Sequence, residues 1–457
     1  MIVVLKDGSR DFYDDEPFAS GGQGTLHLSK DKRWVVKLFH EGSSSRVEAL
    51  NKIIGNFNVT RQEPGSADLF AWPNAIVQSP KPGVRMNNVN YQLEHKELTW
   101  WVGARAFKRL PDAIRGQWMD RIIIAGSMAR IAWLLHGNGL CHSDFSGSNF
   151  LANVAQQHVV LIDLDGLVVP GVLPPEMLGT SDYMAPEIVL GKANPNSGAK
   201  PAIETDLHSL AVLIYQLLLM RHPLKGPKQH SSDAEQDDLL ALGARALYIE
   251  DPNDRSNRPP DPFRGAWLLG DEVEALMRRA FTAGLRNPAQ RPLAAEWGDA
   301  LVRMSEQTVP CSNPACEGKA FVLLRDQAAI CPWCGTKVAR PAQVPILRLY
   351  ESAGQRGHYL PGRARVVGWQ SRTLNRWHVQ TGLSASRPED RVPVAEFQYK
   401  QSKWVLSNIA IPDLRVATRA GVRRVEINEP LPLEDGQQLI LGAGQSARLA
   451  MVAMQRL

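Results

Sequence analysis

The chain of 457 residues is long enough for two to four domains at about 100–200 residues each. With 44% hydrophobic and 22% charged residues its composition is ordinary globular, which excludes wholesale disorder and a fibrous repeat. The net charge of +5 is uneven: from Ile346 onward 16 Lys and Arg face 9 Asp and Glu, so the tail carries +7 and the rest −2. That tail would attract an anionic partner, although a merely soluble basic surface reads the same way.

In chain order, the N-terminal MIVVLKDGSRDFYDDE turns acidic where a signal peptide needs an apolar core and a small-residue cleavage site. Residues up to about 33 alternate strand-like segments with turns, and 34–39 reads as a buried strand. Residues 43–55 are polar and then helical in pattern. The clearest helix is 116–137, where Ile124, Met128, Ile131 and Leu135 make one apolar face. Further helices are predicted over 206–220 and from 271 to about 283, with a long polar, Pro-rich loop at 222–262 holding a short helix. The run 207–220 is too short for the roughly 20 residues of a membrane span and contains His208. A cytoplasmic protein with no membrane partner is expected. Helical character ends near Met304, a Cys module follows, and 340–345 reads as a linker. Beyond it, short β-type runs separated by Gly, Pro and Asn predict an all-β domain. No repeat recurs at a fixed period.

Five cysteines are few for a disulfide scaffold. Cys311-x4-Cys316 and Cys331-x2-Cys334 offer four soft thiolates at zinc-ribbon spacing, with Gly335 suited to a tight knuckle. Four ligands leave no open position, so the Zn²⁺ would be structural. Cys141 reads as a small buried apolar residue.

The chemistry-bearing motifs come in order. Gly21, Gly22 and Gly24 lie between two strands, where the backbone can approach phosphate oxygens or simply make a hairpin turn. Lys37, in the middle of an apolar strand, must find an anion or reach out of the sheet edge. In His142-Ser-Asp144-Phe-Ser-Gly-Ser-Asn149 an Asp that can accept a hydroxyl proton precedes by five residues an Asn that can ligate Mg²⁺. The apolar run Val159–Ile162 then ends in Asp163-Leu-Asp165, carboxylates suited to a hard cation.

This ordered set resembles kinase-type phosphoryl transferases, including small-molecule phosphotransferases such as those that modify aminoglycosides. Gly179-Thr180-Ser-Asp-Tyr-Met-Ala185-Pro186-Glu187, with Asp206 at the head of an apolar helix and the late Arg291, resembles Ser/Thr protein kinases instead. The resemblance covers about the first two-thirds of the chain. Ala71-Trp-Pro73, Gly83-Val-Arg-Met86, Asp163-Leu-Asp165, Arg291-Pro-Leu-Ala-Ala-Glu-Trp297 and Cys331-Pro-Trp-Cys334-Gly narrow it. They are similar to the bacterial kinases related to YegI and to the kinase of the tellurium-resistance phosphorylation triad.

That resemblance implies an ATP- and Mg²⁺- (or Mn²⁺-) dependent Ser/Thr protein kinase in a bacterial stress-signalling module, acting on protein substrates. A PP2C-type phosphatase and a von Willebrand A-domain protein of the TerY kind are the implied partners; nucleic acid is not expected. Lys37 would contact the α- and β-phosphates, Glu48 would be its ion-pair partner, and Met86 would lie in an adenine hinge within 83–89. Glu41 is the alternative partner, and Glu48 could be a solvated helix charge. Asp144 would orient or deprotonate the acceptor, and Asn149 and Asp163 would hold Mg²⁺, with Asp165 a further ligand or a neighbour of one. Thr180 would tie the activation segment to the catalytic loop, Glu187 would pair with Arg291, and Asp206 would brace the loop. Ala19 replaces the first phosphate-loop glycine, and Ser143 replaces the Arg that reads a phosphorylated activation loop, so no dependence on that phosphorylation is expected. Ser146 replaces the Lys that neutralises the γ-phosphate. A nucleotide-binding pseudokinase scaffold is therefore the alternative.

The tail resembles a forkhead-associated β-sandwich through Gly368-Trp369, Glu396-Phe, Lys403–Asn408 and Asp435-Gly436. Trp369 and Glu396 stand where phosphothreonine-reading Arg and His belong, so a docking module is expected. The implied fold is multidomain: an α+β, bilobal kinase-like domain at 1–305 (N-lobe about 1–90, C-lobe about 91–305), a zinc ribbon at 306–340 and an all-β, forkhead-associated-like sandwich at 345–457.

Overall fold

The computed structural model describes residues 1–40, 44–169, 179–193, 198–325, 327–338, 340–355, 357–384, 387–418 and 421–457. They form two compact units: residues 1–116, 127–263 and 276–294 make the first, and 117–126, 264–275 and 295–457 the second.

The first unit opens with a seven-stranded antiparallel sheet in the order Arg10–Phe12, Ile2–Leu5, Ala75–Ser79, Gly83–Asn87, Trp34–Phe39, Gly24–Leu28, Ala19–Gly21. Trp34–Phe39 is central and almost wholly buried, as its apolar run predicts. Glycine lets the strands on both sides of it close in. A Cβ at Gly24 would lie 2.3 Å from the Leu38 carbonyl oxygen, and one at Gly83 would lie 2.2 Å from that of Lys37. The helix Ser44–Ile54 covers one face of the sheet with Val47, Leu50 and Ile54, which pack on the cluster of Val35, Phe39, Ile76, Val84 and Met86.

Below the sheet the helices follow the periodicity of the sequence. Helix Trp118–Gly137 buries Ile124, Met128, Ile131 and Leu135 completely. Helix Ile203–Leu219 is buried on every side from Thr205 on, as expected of a helix apolar all round. The expected short helix in the polar loop is Ala234–Leu242, capped by Asp233, whose carboxylate accepts from Gln236 N–H (2.8 Å). A three-stranded sheet of His158–Leu161, Phe150–Asn153 and Lys96–Glu97 follows the loop 142–149. The core is thus α+β, as expected.

In the second unit, strands Thr308–Pro310 and Ala320–Val322 carry the Cys module. Two antiparallel sheets follow, one of six strands and one of four. The expected linker is a correction: Gln343, Val344 and Pro345 already pair with Arg456, Gln455 and Met454 in strand Gln343–Ser352. Cys316, Phe321 and Cys331 share one apolar core with Leu347, Val366, Phe397 and Leu406, so nothing there is free to act as a hinge. Trp377 and Trp404 are core residues at 3% exposure, and Trp369 packs against the same core beside Trp404. No helix among the described residues is long and apolar enough to cross a membrane.

Candidate active site

The loop His142–Asn149 is suspended from the buried helix. Asp206, 1% exposed, accepts from the backbone N–H of His142 (2.7 Å) and of Ser143 (3.1 Å). Ser143 is held at φ 65°, a left-handed conformation that costs a non-glycine residue about 1 kcal/mol and persists only where neighbours fix it. The next side chain, Asp144, is thereby presented with both oxygens engaged. Oδ1 accepts from the Thr180 N–H (2.9 Å) and hydroxyl (2.8 Å), and Oδ2 accepts from the Asn149 amide (2.9 Å). Gly179 makes the Thr180 approach possible, since a Cβ there would lie 2.8 Å from the Ser143 carbonyl oxygen at φ 85°.

The Ile162 N–H donates to the Asn149 carbonyl (2.9 Å), which sets Asp163 beside the loop, also left-handed at φ 62°. Lys37 reaches this point from the sheet. Its ammonium bonds Asp163, Asp165 Oδ1 (3.0 Å) and Gln23 Oε1 (3.0 Å). Burial opposes the lysine's charge, yet the carboxylates of Asp165 and Asp163 outweigh it and hold its pKa above the ordinary range. Burial would raise Asp163 as well, but Lys37 brings it below the usual carboxylate range. Asp165, fully buried, is held above that range by burial.

Asp144, Asn149, Thr180, Asp163, Asp165 and Lys37 thus lie in one connected network, and Gly21 and Gly22 stand at the hairpin tip with open space where a Cβ would be. Two expectations are corrected. Glu48 is not beside Lys37: its side chain is 71% exposed and pairs with Lys52 (3.0 Å), because its helix turns the Leu50 face inward. Glu41 lies outside the described residues, as does 170–178. Gly24, at the start of the second hairpin strand, packs against the Leu38 carbonyl. Gly83, Val84 and Arg85 pair with strands on both sides, so of the expected hinge only the part from Met86 on has a free edge; Met86 is itself a core residue. Two residues that the motifs did not single out join the network, Arg46 and Gln23. Arg46 donates to Asp165 Oδ2 (3.2 Å) and to Gln23 Oε1 (3.3 Å). The spacing Arg46, Leu50, Ile53 would have placed it on the inward face of the helix.

For a divalent cation, Asn149 and Asp163 fit as oxygen donors, since the Asn149 side-chain oxygen takes no hydrogen bond from any described residue. Asp165 fits less well, with both oxygens given to cations.

The protein kinase domain family matches residues 121–295. That stretch is similar to protein kinase domains. The family is one of ATP-dependent phosphoryl transferases, and the match takes in Asp144, Asn149, Asp163, Thr180, Glu187 and Asp206, while Lys37 and the Gly-rich hairpin precede it. The chain is 24% identical over 319 residues to Protein kinase YegI of Escherichia coli O157:H7, covering 69% of this chain and 47% of that protein. It is 31% identical over 185 residues to Serine/threonine-protein kinase pkn2 of Myxococcus xanthus, covering 35% and 21%. With Serine/threonine-protein kinase PknD of Chlamydia abortus the figure is 30% over 115 residues, 21% of this chain and 12% of that one. The chain spans about half the length of the YegI kinases it matches.

A second donor cluster lies in the other unit. The Sγ atoms of Cys311, Cys316, Cys331 and Cys334 all fall within 4.8 Å of one another. Cys311–Cys334 are 3.5 Å apart and Cys316–Cys331 3.7 Å, too far for disulfides. Tetrahedral thiolates at about 2.3 Å from a Zn²⁺ stand about 3.8 Å apart, so the set fits that ion. Gly335 at φ 74° forms the expected knuckle. Cys141, by contrast, is fully buried, and burial pushes its thiol far up, which leaves it inert.

Proposed function

We propose that the protein is an active ATP-dependent Ser/Thr protein kinase that transfers the γ-phosphate to protein hydroxyls. The observation that carries this reading is the convergence of Thr180 and Asn149 on the two oxygens of Asp144, with Asp163 and Lys37 alongside. Asp144 would orient the acceptor hydroxyl and take its proton. Thr180 and Asn149 fix the direction of its lone pairs, and Lys37 would hold the nucleotide phosphates. Asn149 and Asp163 would hold Mg²⁺ or Mn²⁺, which supplies charge neutralisation on the phosphates. The nucleotide base would enter beside Leu26, Met86, Val89 and Ile162, an apolar set only partly covered at Leu26, Val89 and Ile162.

We take 1–305 as the kinase domain, 306–340 as a zinc ribbon whose Zn²⁺ is structural, and 345–457 as a forkhead-associated-like docking module. The resemblance to tellurium-resistance kinases supports a place in a cytoplasmic stress-signalling module with a PP2C-type phosphatase and a TerY-like protein. Purified protein with labelled ATP and a generic protein acceptor tests the activity: wild type transfers label and Asp144→Ala does not. Transfer equal in both, or none in wild type with any divalent metal, refutes it. Phosphosite mapping after a pull-down tests substrate and partners.

A further inference from the structure

Protein kinases of the usual plan pair the strand lysine with a glutamate of the following helix. The helix Ser44–Ile54 contains one acid, Glu48, and turns it to solvent against Lys52. A cation occupies the inward side instead. The Arg46 guanidinium stacks 3.9 Å from the Phe39 ring centre and bonds Asp165 Oδ2. Asp165 has a fully buried side chain and divides its oxygens between Lys37 and Arg46. A buried carboxylate is costly unless paired, and here two cations pair it. Gln23, at the hairpin tip, accepts from both of those cations and ties the phosphate-facing turn to the same cluster.

We propose that Asp165 replaces the helix glutamate as the counter-ion that positions Lys37 on the nucleotide, and that Arg46 is the clamp holding Asp165 in place. Asp165 is then a positioning residue rather than a metal ligand. The sign of the charge on the helix is inverted relative to the usual plan, and the carboxylate comes from the strand-end motif. The assignment rests on the kinase reading of Lys37. It explains why an extra acid is tolerated where other kinases have glycine: the helix supplies the matching cation. Serving as a metal ligand would make Asp165 share its oxygens between a divalent ion and the two cations that already bond them.

The test uses the full chain and reads two quantities separately, MgADP affinity by titration and phosphoryl transfer from ATP. Wild type is compared with Asp165→Asn, Arg46→Ala, the double variant and Arg46→Lys. Each of the first two should weaken MgADP binding and lower kcat/KM for ATP tenfold or more. The double variant should be no worse than the worse single one, and Arg46→Lys should recover most of the loss. The Mg²⁺ concentration for half-maximal transfer should stay within twofold of wild type. A tenfold rise in that Mg²⁺ requirement in Asp165→Asn, with nucleotide affinity unchanged, overturns the proposal. So do additive losses, or a loss in Glu48→Gln as large as in Asp165→Asn. If Asp165→Asn does not fold, Arg46→Ala against Arg46→Lys decides: loss with recovery supports the clamp, and equal behaviour overturns it. A wild type whose MgADP binding depends on both residues but which transfers no phosphate would refute the kinase activity and leave the counter-ion assignment standing.

Discussion

Arg291 donates to both oxygens of Glu187 (2.8 and 2.7 Å) across 104 residues of sequence, and its side chain is completely buried. The same guanidinium donates to the carbonyl oxygens of Glu204 (2.7 Å) and Gly284 (2.9 Å). Three segments of the first unit are thus pinned by one planar group, which a lysine cannot imitate. Removing one partner of a buried pair costs about 3–5 kcal/mol, and the low end applies because Glu187 is 31% exposed. Arg291→Ala should therefore lose about 3 kcal/mol in urea unfolding, with Arg291→Lys recovering less than half. A loss under 1 kcal/mol would mean the pair is ornamental.

Thr180 acts on the proposed chemistry through a single carboxylate oxygen. Its hydroxyl and its N–H both bond Asp144 Oδ1, so Thr180→Ala keeps the backbone bond and loses the side-chain one. The acceptor oxygen would then be free to rotate toward solvent. A roughly tenfold fall in kcat with little change in KM for ATP is expected, in line with the loss of an orienting group. Thr180→Ser should restore most of it. An unchanged kcat in Thr180→Ala, or a serine variant as slow as the alanine one, would show that Asp144 is oriented by other means.

Much of this was legible because motif and periodicity agreed. Lys37 sits in an apolar strand and needs an anion, which Asp163 and Asp165 supply. Helix 203–219 is apolar all round and is buried accordingly, with Asp206 spent on the loop 142–149. In the helix at 44–54, residues 46 and 48 are two positions, about 200°, apart, so only one of them can face inward. Choosing the acid by analogy put Glu48 inside, whereas Val47, Leu50 and Ile54 select the face that holds Arg46 beside them. The bond from Arg46 to Asp165 follows from that same choice of face. At 340–345 composition alone suggests a break, but Pro345 tolerates a strand that pairs it through its carbonyl side.

The four thiolates should make folding of their module depend on metal. One Zn²⁺ per chain is expected by elemental analysis of native protein, falling below one tenth in Cys331→Ser. Because Cys316 and Cys331 are also core residues, metal removal by a chelator should lower the thermal midpoint of the second unit, whose core includes both. A native protein with no zinc, or a chelated one that melts unchanged, would dismiss the metal.

His222 makes the stability of the first unit sensitive to mild acid. Its ring is buried, Nδ1 accepts from the Leu224 N–H (3.1 Å), and Nε2 therefore carries the hydrogen donated to the Asp182 carbonyl (2.8 Å). Protonating Nδ1 would break the first of these bonds, and burial pushes the imidazole down to about 4, with nearby Lys225 acting in the same direction and Asp182 and Asp238 against it. Above pH ~6.5 the ring is neutral whether folded or unfolded. Between that value and 4 the unfolded chain takes up a proton that the native ring refuses, so stability falls as pH falls, and below 4 the loss is complete. At about 1.4 kcal/mol per pH unit the full effect is about 3 kcal/mol. His222→Gln, which keeps a donor and an acceptor without a titrating ring, should flatten the stability–pH curve between pH 6 and 4.5 by about that slope. Parallel curves for the two proteins would show that the acid loss belongs to other groups.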